Sequence, residues 1–223
     1  MGKTPAQRAA KHGSAERPSR PAPGLQSRLY PGTAPSSYSP SEGQRNGNLV
    51  LIAGVVAVLF LFWYFHLLTL NQMTQLSGGL AMPDSLIGGY DPAYIESLRN
   101  AMNEDARGQL NYLHKTAGLL FPLFFAVVWL LLIGSNTIKR GLRRLLWLPP
   151  ILFAVIDIWE NFAIDALLGA TAPDDGAIAL ASTLTVARWI LLGLSVLAAL
   201  LALILSRRSH HGRDTVVPAE PAR

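Results

Sequence analysis

Residues 145–168 read LLWLPPILFAVIDIWENFAIDALL, and this stretch decides the fold. At about 1.5 Å per residue it is long enough to cross a hydrocarbon core of about 30 Å. Yet it carries Asp157, Glu160, Asn161 and Asp165. At 100° per residue these four fall within an arc of roughly 140°, so they form a stripe on one helix face. Thirteen Leu, Ile, Val or Phe residues in the stretch are together worth roughly −6 kcal/mol of insertion free energy. A carboxylate at the helix centre costs about 2.5–3.5 kcal/mol, so three acids, one central and two toward one end, offset most or all of that gain. Such a helix does not face lipid on every side. Its stripe is expected to face other helices, water or a ligand.

Working outward, three more apolar runs lie at about 49–70, 116–134 and 183–206. Half of the 223 residues are hydrophobic and 15% are charged, with a mean hydropathy of +0.29. This is the profile of an integral membrane protein rather than a soluble domain. Sustained apolar runs with little period-2 alternation argue for helices and against an outer-membrane barrel. The fold expected is all-α, a four-transmembrane-helix bundle.

Orientation follows from Lys and Arg between the runs. The segment 1–47 carries seven of them, the loop 135–144 carries Lys139, Arg140, Arg143 and Arg144, and Arg207-Arg208 follow the last run. Loop 71–113 instead has two arginines against Asp84, Asp91, Glu96, Glu104 and Asp105, and loop 169–184 has only Asp174 and Asp175. The positive-inside rule therefore puts both termini and loop 135–144 in the cytoplasm, N-in/C-in, for a multi-pass protein of the plasma membrane. All three basic segments agree with an even number of crossings.

The net charge of +5 is spread over juxtamembrane segments as topology demands, so no nucleic-acid partner is expected. The partners expected are the bilayer and, at the cytoplasmic face, anionic lipid headgroups worth about 1 kcal/mol per base. The absence of cysteine excludes disulfides, thiol nucleophiles and Cys-ligated metals. The first run begins too late for an ordinary cleaved signal peptide.

The chain divides into a basic tail at 1–47, a transmembrane domain at 48–207 and a tail at 208–223. Seven Pro, seven Ser and six Gly in the first tail predict disorder, because such a segment buries too little apolar surface to offset its ordering entropy. The second tail reads the same way. In the first outer loop, Asp91 as N-cap and Pro92 at the first helical position start a helix. Tyr94, Ile95, Leu98, Met102, Leu110 and Leu113 then recur at helical spacing, predicting one amphipathic helix over about 92–114 that caps the bundle or lies on the membrane surface.

Measured from each run's midpoint, Asp157 lies near the bilayer centre, Glu160 and Asn161 about 5 Å outward and Asp165 about 12 Å outward. His66 and Arg188 fall about 10 Å outward on two other helices. The buried polar site expected is thus His66, Asp157, Glu160, Asn161, Asp165 and Arg188, in the outer half of the bundle. Arg188 suits Asp165 or Glu160 as a bidentate partner. Asp157, farthest from Arg188 in this scheme, is the acid expected to be neutral. Pro149-Pro150 reads as helix-start geometry.

Two readings of the site stand side by side. One is a packing lock that sets helix register; the other is a pocket for a lipid-like ligand. A membrane enzyme would use Asp157 and Glu160 as the candidate catalytic pair in acid/base chemistry on a lipid or isoprenoid. A proton-coupled transporter of a small solute would use Asp157 as proton carrier. Phosphate-cradling, dinucleotide, HExxH and nucleophile-elbow patterns are absent, and no cofactor and no metal site is expected.

One combination carries a resemblance: Gly89-Tyr90-Asp91-Pro92, Tyr112-Leu113 leading to Phe121-Pro122, and Leu148-Pro149 followed by Asp157-x-x-Glu160-Asn161. Together these resemble a group of uncharacterised, mainly bacterial four-helix membrane proteins with an Asp-x-x-Glu-Asn signature in the third helix. The resemblance covers about residues 88–168. It implies a topology and no activity.

Overall fold

The computed structural model describes residues 40–172 and 174–214, with side chains over 45–207 apart from residue 173. Among the described residues all regular structure is helical. The elements are α1 (Pro40–Phe62), a π-helical segment (Trp63–Thr69), α2 (Leu70–Leu76), a 3₁₀ turn (Pro83–Ser85), α3 (Pro92–Ala101), α4 (Glu104–Lys115), α5 (Ala117–Asn136), α6 (Arg140–Gly169) and α7 (Asp175–Asp214).

Among the described residues three rods are able, by length and composition, to cross a membrane: Arg45–Leu76, Glu104–Asn136 and Asp175–Arg207. The fourth long helix, α6, has 30 residues and so extends about 45 Å. It packs against both α5 and α7, and these contacts cover its polar stripe.

Several boundaries differ from the sequence expectation. Helix α1 starts at Pro40 and α7 extends to Asp214; the tails expected to be disordered otherwise lie outside the described residues. Helix α6 starts at Arg140, after extended Lys139, so Pro149 and Pro150 sit inside it rather than at its start. The missing N–H groups of these prolines leave the carbonyls of Leu145 and Leu146 without their i+4 donors.

The single outer-loop helix is also corrected. Asp91 does cap α3, its Oδ1 accepting the Tyr94 N–H at 2.8 Å, but α3 ends at Ala101. Met102 is extended and turned inward, and Asn103 Oδ1 then accepts the Ala106 N–H at 2.8 Å. Glu104 and Asp105 follow in the first turn of α4, where the helix dipole favours acids. A strong local cap won over a continuous apolar stripe.

Along α6, the polar residues lie between two apolar layers. Phe153 belongs to a core with Phe121, Phe125, Trp129 and Ala198. Ile164 and Leu168 belong to another that takes in Met82, Leu98, Met102 and Leu110 from the outer segment. The first outer loop is therefore packed onto the helices.

Candidate functional site

Asp157, Glu160 and Asn161 are buried on one face of α6, at 0%, 0% and 2% exposure. Their partner is Arg188 of α7, itself 1% exposed. Its Nη1 donates to Asp157 Oδ1 at 2.8 Å, and its Nε lies 2.5 Å from Glu160 Oε2 without hydrogen-bond alignment. Its Nη2 donates to the backbone carbonyl of Asp84, as does Trp189 Nε1 at 3.1 Å. One guanidinium thus ties α6, α7 and the first outer loop together.

Of the two partners expected for Arg188, Glu160 is in contact with it and Asp165 is not. Asp157 is in direct contact with Arg188 rather than farthest from it. Asp165 is taken by α4 instead: His114 Nδ1 lies 2.6 Å from its Oδ1, and Asn111 Nδ2 donates to its Oδ2 at 2.7 Å. Asp165 stands eight residues beyond Asp157, about 12 Å farther along α6, where α4 lies on α6.

Sequence reasoning missed Asp84 and His114. Asp84 is fully buried in the 3₁₀ turn, and His114 Nε2 lies 3.3 Å from its Oδ1. Burial opposes the Asp84 charge, but His114, and after it Arg188, hold its carboxyl well below the usual carboxylate range. His114 bridges two carboxylates, one from the loop and one from α6.

His66 is delivered by the π-helical segment, a form often found at functional sites. Its ring stacks on Phe62 with centroids 4.7 Å apart and meets Phe121 and Trp189 edge-on. Its Nε2 lies 3.4 Å from Arg188 Nη1. A guanidinium only donates, so a hydrogen bond there requires this ring nitrogen to accept.

Asn161 has a partner that proline creates. Pro122 in α5 has no N–H for the carbonyl four residues back, that of Gly118. Asn161 Nδ2 donates to this carbonyl at 3.0 Å instead. Gly118 makes the approach possible, since a Cβ there would stand 3.0 Å from Asn161 Nδ2.

Loop and α7 also meet at Gly89, which has φ +81° and whose added Cβ would lie 2.5 Å from Ser182 Oγ. That hydroxyl oxygen accepts the Tyr90 N–H at 2.9 Å. Burial pushes the nearby Tyr90 phenol above its ordinary value.

Two features of this cluster go beyond packing. Asp157 Oδ2, Asn161 Oδ1 and both Asp84 carboxyl oxygens are buried without a hydrogen-bond partner among the described residues. Carboxylates also outnumber cations: Asp84, Asp157, Glu160 and Asp165 face Arg188 and His114. Among the described residues no three His, Cys, Asp or Glu side chains converge as a metal site. No family model, curated protein or solved structure matches the chain.

Proposed function

We propose that this chain is a multi-pass plasma-membrane protein with four crossings and both termini cytoplasmic, and that its buried cluster binds one exchangeable proton on Glu160. The basic segments support the topology. The inward partnering of every acid on α6 supports a fourth crossing. With no native cysteine, Gly141→Cys should react with an impermeant maleimide only from inside the cell and Ala93→Cys only from outside.

The observation that carries the proton is at Thr185. Its hydroxyl faces two acceptors, Glu160 Oε1 at 2.6 Å and the Ala181 carbonyl at 3.1 Å, yet it has one hydrogen. A proton on Glu160 Oε1 lets both contacts be hydrogen bonds at once: the carboxyl donates to Thr185 Oγ1, and Thr185 donates to Ala181. It also lowers the surplus of buried negative charge, leaving Arg188 to balance Asp157. Proton exchange at Glu160 is the step shared by acid/base chemistry on a lipid and by proton-coupled transport.

Glu160→Gln tests this, because the amide reproduces the protonated carboxyl in shape and in its donor toward Thr185. Thermal unfolding in detergent at neutral pH should stay within about 1 kcal/mol of wild type. A loss of about 3–5 kcal/mol, the cost of breaking a buried ion pair, would contradict the proposal.

A further inference from the structure

A groove of about 400 Å³ opens between the outer parts of α6 and α7, apart from the acidic cluster. Trp159, Phe162 and Leu180 form exposed walls, while Ala163, Ala166 and Ala177 keep the floor open. From Trp159 to the end of α6 at Gly169 is about 15 Å at 1.5 Å per residue. The groove therefore starts at the outer loop and descends toward the middle of the helix. It is apolar along its length, and its volume is within the range of small-ligand sites.

Among the residues that line the groove one is charged. Asp174 lines the groove and is exposed, its Oδ1 accepting the Ala177 N–H at 2.7 Å. Arg99 reaches over from α3, and its Nη2 donates to the Thr171 carbonyl at 3.1 Å and to the carbonyl of Ala170, a groove residue. Its Nε is buried without a hydrogen-bond partner. Arg99 is held on the backbone of the 170–171 turn, and the exposed Asp174 carboxylate at the mouth complements an ammonium on a headgroup.

We infer that this groove is a binding site for a phospholipid of the outer leaflet with an amine headgroup, its acyl chain between α6 and α7 and its ammonium at Asp174. The inference rests on the membrane-spanning reading and is independent of the proton on Glu160.

Native mass spectrometry of the full chain in detergent tests it, with phosphatidylethanolamine and phosphatidylglycerol titrated separately. Wild type should retain one phosphatidylethanolamine at least tenfold more tightly than phosphatidylglycerol. Ala166→Trp, at an exposed position, should weaken that binding tenfold or more by filling the groove. Asp174→Asn should keep a bound lipid and lose the headgroup preference. Equal retention of both lipids, or no effect of Ala166→Trp, would overturn the site and leave only lipid of the general annulus. Retention of all three proteins in alkaline-washed membranes reports the membrane reading separately: release there would overturn the reading the site rests on.

Discussion

Arg188 Nη1 donates to Asp157 Oδ1 at 2.8 Å with both side chains removed from solvent. The same guanidinium serves Glu160 and the backbone of Asp84. Removing one member of a buried ion pair leaves an uncompensated charge, which costs about 3–5 kcal/mol. Arg188→Met should therefore destabilise the protein by that amount in chemical denaturation. The compound variant Arg188→Met/Asp157→Asn/Glu160→Gln should regain more than half of the loss, because the two side chains that Arg188 contacts on α6 are then neutral amides.

The link between Pro122 and Asn161 predicts a non-additive pair. Asn161→Leu leaves the Gly118 carbonyl buried without a donor, at a cost of about 1–3 kcal/mol. Pro122→Ala restores a backbone N–H that can bond that carbonyl within α5. In the Pro122→Ala background, Asn161→Leu should cost less than half as much. A double-mutant cycle by thermal unfolding measures the difference.

Acid should release the outer loop. The folded Asp84 carboxyl is held below its ordinary value, so the stability it contributes is present above an unfolded value of about 3.9. That contribution is lost as pH falls through the lower folded value. Hydrogen exchange over residues 77–101 should be slow and flat in opening free energy between about pH 7 and 5, then rise below about pH 4. Asp84→Asn should exchange faster at neutral pH, by a loss of about 2 kcal/mol, and show a shallower acid dependence.

Much of the frame was legible because it rests on local rules. Apolar run length located the long helices, Asp91-Pro92 located the start of α3, and 3.6-residue periodicity placed Asp157, Glu160 and Asn161 on one face. The pairing was less legible. Depth along separate helices said nothing about which neighbour lies beside Asp165, and α4 takes it through His114 and Asn111. His114 had a signal: it stands four residues after Leu110, on the buried face of α4. Asp84 had none, because nothing periodic surrounds a three-residue turn that tertiary contacts pull inward. The π-helical segment that turns His66 inward likewise follows from packing rather than from a local motif.

Infrared spectroscopy tests the central claim, a proton on Glu160, most directly. Spectra of the purified protein at neutral pH should contain a protonated-carboxyl C=O band that Glu160→Gln removes and Asp157→Asn retains. A wild-type spectrum without the band, or a band that persists in Glu160→Gln, would contradict the account.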